Sequence, residues 1–338
     1  MNILVTGGAG YIGSHTVIAL QEAGHTPVVA DSLSTSSRLS LERAAQITGQ
    51  AVPFYQADVR DRKALEEILS EHAVDCCIHL AGLKAVGESA ARPLDYYDDN
   101  LIGTLVLLEA LRAHGCRNFI FSSSATVCGD PAELPMTEAC PKGPCSSPYS
   151  RSKSMLEQIL TDVQAADPAW NIVLLRYFNP VGAHPSGLIG EDPRGIPGNL
   201  MPCITQTAAG RRPRLKIFGN DYPTPDGTCI RDYIHVMDLA RGHVSALQAI
   251  ARHCGLAVYN LGTGRGCSVL ELLHTFERVN RLQIPYEIRP RRPGDVPVLC
   301  ADPAKAAAEL GWRARYGLEA MCRDAWNWQR RNPEGYTA

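Results

Sequence analysis

The stretch VTGGAGYIGS, residues 5–14, sets Gly7, Gly10 and Gly13 at three-residue steps between an apolar run and a helical pattern. Glycines at these steps let the chain turn tightly, bring its backbone close to a pyrophosphate, and pack the following helix against the preceding strand. The first turn of that helix carries amides without intrahelical partners, a natural seat for an anion. The next apolar run, TPVVADS (26–32), contains Asp31, placed to accept from adenosine ribose hydroxyls and to repel a 2′-phosphate. The reading is a dinucleotide site that prefers NAD to NADP. Arg38, a cation beyond the same strand, is the feature that argues the other way.

Outward from this turn, apolar runs alternate with helical patterns as far as Phe178. VPFYQAD (52–58), CCIHLAG (76–82), NFIFSSS (118–124) and IVLLRYF (172–178) read as strands. GSHTVIALQEAG (13–24) and GTLVLLEALRAHG (103–115) read as helices closed by Gly24 and Gly115. Near-continuous apolar strands separated by helices call for a parallel sheet covered on both faces, so the fold class is α/β, a doubly wound Rossmann-type sheet. After Phe178 proline and glycine punctuate the chain at NPVGAHPSG (179–187), DPRGIPGN (192–199), GNDYPTPDG (219–227) and RPRRPGDVP (289–297). Helical patterns recur at 236–250, 269–280 and 318–331. This predicts a cofactor domain over 1–178 and a smaller mixed α/β substrate domain over 179–338, with the segment near 234–262 a candidate to return to the sheet. Substrate belongs in the cleft at the carboxyl ends of the strands.

Composition narrows the partners. The 338 residues are 45% hydrophobic and 20% charged, with a formal charge of -2 and no dense basic run, which argues against nucleic acid and membrane as partners and for a small molecule. The chain opens directly into an apolar strand, without a signal-like or spanning segment, and the expected location is the cytoplasm. Its 12 cysteines include no CxxC spacing, so no metal site is expected; Cys76, Cys77 and Cys116 read as small buried hydrophobes and reduced thiols. His79, His184 and His235 likewise read as packing or hydrogen-bonding residues.

Chemistry enters with SSPYSRSK (146–153). Ser147 suits a helix cap and Pro148 a first helical position, and Met155, Leu156, Ile159, Leu160 and Val163 follow at helical spacing. Tyr149 and Lys153 then share one face of the first turns. A phenol serving as a base near neutrality needs its pKa lowered by about 3 units, roughly 4 kcal/mol. Lys153 and the cationic ring of an oxidised nicotinamide are the expected sources. Ser124, ending FIFSSS, lies where its hydroxyl can hold a substrate oxygen. Serine, tyrosine and lysine together describe alcohol deprotonation coupled to hydride transfer.

The segments VTGGAGYIGSHT, HLAGLKAVGES, SSSATVCGDP, PYSRSK, LRYFNPVGAH, GNDYPTPDGT, RDYIHVMDLA and RRPGD resemble, nearly end to end, the UDP-hexose 4-epimerase branch of the extended short-chain dehydrogenase/reductase family. The resemblance implies interconversion of UDP-glucose and UDP-galactose in galactose metabolism, through a 4-keto sugar that turns in the pocket while still attached to UDP. Ser124, Tyr149 and Lys153 would be catalytic. Gly7, Gly10, Tyr11, Ile12, Gly13, Asp31, Asp58, Val59, Ala81, Lys84, Asp99, Ser124, Tyr149, Lys153 and Phe178 would contact NAD. Asn179, Asn199, Leu200, Phe218, Arg231, Arg292, Asp295 and Leu299 would join Ser124 and Tyr149 around the UDP-sugar. It also implies a homodimer through helices near 94–114 and 149–166. A sugar-nucleotide dehydratase would need an acidic pair beside Ser124, where Ala125 and Thr126 stand; a non-catalytic NAD sensor would not need Ser124, Tyr149 and Lys153 together. Three positions depart from the pattern: Asp99 replaces an asparagine, which should weaken NAD retention or make it depend on pH, Cys128 replaces a tyrosine, and Leu299 replaces a common aromatic residue. The last leaves space for an N-acetylated sugar.

Overall fold

β1 (Asn2–Thr6) is buried from Ile3 onward, as a strand must be when helices cover both faces of its sheet. The computed structural model describes residues 1–337 apart from Ala132, Ile196 and Pro293, so Pro293 of the RRPGD motif lies outside the described residues. With β2 (Thr26–Asp31), β3 (Phe54–Gln56), β4 (Cys76–His79), β5 (Asn118–Ser124) and β6 (Asn171–Tyr177), β1 forms a sheet in the order β6-β5-β4-β1-β2-β3. A late strand, Leu256–Leu261, joins beside β6, and every pairing in the sheet is parallel. Strand order reverses beside β1, which places the crevice for a ligand above the glycine turn.

Alternation along β5 shows why two helical layers are needed. Phe119 and Phe121 pack with Leu107, Leu111, Leu156 and Leu160 of the helices Gly103–Ala113 and Pro148–Ala166. Ile120 packs with Val17, Leu20, Leu239 and Leu247 of the helices Tyr11–Glu22 and Val236–Ala251 on the opposite face. The expected VPFYQAD strand contracts to Phe54–Gln56, an edge strand preceded by Pro53, which has no N–H to donate to a ladder. His79 bridges Thr6 and Thr104 within the sheet layer, and His235 caps the Val236–Ala251 helix through the Met237 amide.

The second half has its own core, in which Ile204, Leu215, Tyr233, Leu272 and Phe276 are buried. Ile230–His235 is its central strand, parallel to Asn179–Val181 and Val298–Leu299 and antiparallel to Gly266–Ser268. A separate parallel pair joins Leu215–Phe218 to Tyr286–Arg289. No helix among the described residues is long and apolar enough to cross a membrane.

Candidate active site

The glycine turn is fixed by contact as much as by conformation. A Cβ on Gly13 would lie 2.2 Å from the Gly7 carbonyl oxygen, and one on Gly7 would lie 2.6 Å from the Ala81 amide nitrogen. The turn therefore closes on itself and on the loop after β4. The helix Tyr11–Glu22 starts at Gly10 with no side-chain cap, which leaves the amides of its first turn to an external acceptor. Ile12 packs into the apolar layer behind, and the Tyr11 hydroxyl donates to the Gly182 carbonyl at 2.7 Å, joining the two halves of the chain.

Asp31 accepts from the Ala9 amide at 3.0 Å, the Leu33 amide at 2.9 Å and the Ser36 hydroxyl at 2.7 Å. A carboxylate has room for about four such bonds, so acceptor capacity remains for a ribose. Arg38 turns away: it pairs with Glu42 and lies over the Phe54 ring. The donors and acceptors at this turn thus fit a dinucleotide. Asp58 is gripped by Arg60, which also reaches Asp98, and buried Val59 lies against Gly103. Asp99 is half-buried, and burial pushes its carboxyl above the usual range, against the pull of Arg60.

The Pro148–Ala166 helix begins where SSPYSRSK predicts. Ser147 caps it, and Ser150 returns the bond in a capping box. Lys153, 5% exposed, donates to the Ser122 carbonyl at 2.7 Å and sits 4.7 Å above the Phe121 ring. Burial pulls its ammonium down to about 8, with Asp99 opposing. Tyr149 does not have the depressed pKa expected of it in the protein alone: burial raises the phenol, and the Ser124 hydroxyl only partly draws it back. Lys153 directs its protons to a carbonyl and a ring, and a bound nicotinamide cation would add to the lowering that burial opposes. Ser124 is 8% exposed at the strand end, its hydroxyl 2.9 Å from that of Thr126.

Across the cleft, Phe218, Arg231, Arg292 and Asp295 come together from distant segments. Arg292 donates to Asp295 at 2.9 Å and lies 5.0 Å over the Phe218 ring, while Arg231 stands 3.8 Å from Asp295. Leu299 pairs in register with Arg231 and packs in the apolar cluster of Phe178 and Cys128, so two departures from the family pattern are neighbours. Asn179 opens the strand beside Tyr233, and Asn199 and Leu200 open the Leu200–Ala208 helix. Lys84 lies 5.8 Å over the Tyr11 ring beside the glycine turn and reaches Glu191 at 3.2 Å, the carboxylate that also accepts from Asn199 at 3.1 Å.

Three contributors escaped the sequence reading: Arg60, Glu191 and Arg194. Arg194 crosses from the second half to donate to the carbonyls of Ser34 and Ser36 at 2.9 and 2.8 Å. Arg60 stands two residues from Asp58 and could have been read from that spacing, whereas Glu191 and Arg194 depend on which loops meet, which no local spacing encodes.

A parallel sheet with a closed glycine turn beside its reversal point, and serine, tyrosine and lysine at its carboxyl edge, defines a short-chain dehydrogenase/reductase. A family model described as GDP-mannose 4,6 dehydratase matches residues 4–325. A UDP-glucose 4-epimerase of Neisseria meningitidis serogroup A is 56% identical over 335 residues, covering 99% of both chains. The UDP-glucose 4-epimerase of Bifidobacterium longum, solved with NAD+ and UDP, is 52% identical with a TM-score of 0.96, over 99% of this chain and 100% of that one. The enzyme of the same name from Stenotrophomonas maltophila, solved with NAD and formylated UDP-arabinopyranose, is 50% identical with a TM-score of 0.96, over 98% and 99% of the two chains. The chain belongs to the UDP-glucose 4-epimerase family.

Proposed function

We propose that this chain interconverts UDP-glucose and UDP-galactose by inversion at sugar carbon 4, with NAD as its cofactor. The observation that supports the reading is that Ser124, at the carboxyl end of β5, bonds to Tyr149 on the capped Pro148–Ala166 helix, with Lys153 one turn on along the same face. Residues 1–178 hold the cofactor and 179–338 the nucleotide sugar. Bound NAD takes a hydride from carbon 4 and gives it back to the opposite face. Ser124 holds the 4-oxygen, Tyr149 removes its proton and later restores one, and Lys153, one helical turn on, helps to orient the pair. Arg231 and Arg292 hold the diphosphate while the sugar turns, Asp295 accepts from the uridine ribose, and Phe218 lies against uracil. Asn179, Asn199 and Leu200 complete the wall around the sugar.

Dehydration finds no support beside Ser124: Ala125 and Thr126 supply a methyl and a hydroxyl, not an acid to expel water. Turnover of UDP-galactose to UDP-glucose by the purified protein is the test; absence of turnover with NAD bound would favour the sensor reading.

Leu299 carries the finer reading on the sugar. Without the ring of a tyrosine it leaves room for an acetamido group and offers its methyl an apolar contact. Wild type should therefore also turn over UDP-N-acetylglucosamine, and Leu299→Tyr should lose that activity while keeping UDP-glucose. Failure of wild type with the acetylated sugar would mean that Phe178, Cys128 and their neighbours have closed the gap. Pairing of two copies is supported by apolar side chains left in solvent near the expected helices: Leu94 is 79% exposed, and Ile102, Leu105 and Met155 are also exposed. Sedimentation at micromolar concentration tests it. Twelve free cysteines fit a reducing compartment, and we place the protein in the cytoplasm.

A further inference from the structure

Beneath the candidate catalytic residues lies a buried ion pair that the reaction as described does not use. Glu157 follows Lys153 by one helical turn and Tyr149 by two, so the three share a face of the Pro148–Ala166 helix. Its carboxylate is wholly buried and is gripped by Arg176 through two bonds, at 3.0 and 2.9 Å. Arg176 stands in register opposite Ser123 on the neighbouring strand, and the Ser123 hydroxyl donates to Glu157 at 2.6 Å. Arg176 also donates to the Glu138 carbonyl at 3.1 Å, and Lys142 approaches Glu157 to 3.5 Å, which ties down the loop leading into the helix.

Each of the last three residues of β5 is thereby attached to this helix or faces it. The Ser122 carbonyl takes Lys153, the Ser123 hydroxyl takes Glu157, and Ser124 meets Tyr149. A buried ion pair is a poor device for stability, because desolvation offsets most of its attraction and a well-packed apolar pair does as well. It is a good device for geometry, because a guanidinium and a carboxylate joined by two bonds hold one distance and one angle.

We propose that Glu157, held by Arg176, is a positioning residue for the epimerisation: through Ser123 it fixes the end of β5 and with it the distance between the Ser124 and Tyr149 hydroxyls. The inference rests on the reaction proposed above. That reaction makes a specific demand, since the same hydroxyls must serve the sugar before and after it turns. If their spacing relaxes, the 4-keto sugar can leave before hydride returns. The sugar then departs short of two electrons, which stay on the cofactor as its reduced form.

Ser123→Ala tests this with little risk to folding, because it cuts the link to the strand and leaves the Glu157–Arg176 pair intact. We expect kcat for UDP-galactose to fall about tenfold, within the range that about 1 Å of misplacement costs, with KM within about twofold of wild type. After turnover, part of the bound cofactor should show the near-ultraviolet absorbance of the reduced dinucleotide, and the melting temperature should stay near that of wild type. Glu157→Gln, which leaves Arg176 partly unpaired, should show a larger loss and more reduced cofactor. Wild-type kcat and fully oxidised cofactor in Ser123→Ala would overturn the inference. So would a loss of kcat accompanied by an equal rise in KM and a lowered melting temperature, which would mark a merely structural role. Inactive wild type would instead overturn the proposed function itself.

Discussion

The two walls of the cleft are built on different principles. On the cofactor side, backbone packs against backbone at Gly7, Gly13 and Ala81, and Lys153, one helical turn from the proposed base Tyr149, is almost wholly buried. On the proposed nucleotide side the two arginines differ: the Arg292 side chain is 51% exposed and pairs with Asp295, while Arg231 is largely buried and donates to the carbonyls of Ile230 and Val296 at 2.8 and 2.9 Å. The first wall is held by backbone contact, while on the second Arg292 in particular is free to turn from Asp295 to the diphosphate of the proposed substrate. Catalysis needs the first kind of wall around the reacting atoms, and a substrate that swings on a fixed anchor needs the second.

Substitutions on the two walls should accordingly fail in different ways. Tyr149→Phe removes the base while leaving the glycine turn untouched, so kcat should fall by about 10² to 10⁴ with NAD still bound, as measured by turnover and cofactor content. Full activity in that variant would break the mechanism. Gly13→Ala sets a methyl against backbone that cannot give way and should cost about 1–3 kcal/mol, seen as lost NAD and a lower melting temperature. Gly198→Ala, beside Asn199 on the other wall, meets nothing within 4 Å among the described residues and should be silent by the same two measurements. Arg292→Ala removes one charged anchor among several, so KM for the nucleotide sugar should rise about tenfold with kcat nearly unchanged. A fall in kcat with constant KM would mean that this wall, too, acts on the transition state.

The last effect concerns pH. Burial sets the Lys153 pKa at about 8 in the folded protein against an ordinary 10.5. Between those values the unfolded chain holds a proton that the folded chain has shed, so the stability of the cofactor-free protein should rise with pH across that window. The cost of burying the charged ammonium is present in full below about pH 8. Chemical denaturation at several pH values checks this, and Lys153→Met should lack the rise.

The same contrast explains what the sequence made legible. Local rules governed the cofactor wall: the glycine steps, the cap at Ser147 and the i, i+4 spacing of Tyr149 and Lys153 are all short-range, and the structure places them as read. The Val236–Ala251, Val269–Asn280 and Leu318–Arg331 helices also start where their patterns do. The nucleotide wall was reached only by resemblance, because Phe218, Arg231 and Arg292 are brought together by short strands with long connections. Glu157 lies between the two cases. Its place on the helix follows from spacing to Lys153, but nothing in the chain near it announces Arg176 or Ser123. The phenol of Tyr149 shows what spacing leaves out: in the protein alone its burial raises it, and the depression expected of Lys153 and a nicotinamide cation together needs the cofactor in place.

Arg194 bears on time as well as on shape. Its two bonds to the carbonyls of Ser34 and Ser36 run across the strand end where Asp31 is presented. A dinucleotide held by Asp31 would lie beside that crossing, so its residence would depend on local opening there as well as on its affinity. A reaction that returns every electron it borrows has no need of a fresh cofactor, and a slow gate then carries no kinetic penalty: one molecule of NAD would serve through many cycles, diluted with the protein but not from it.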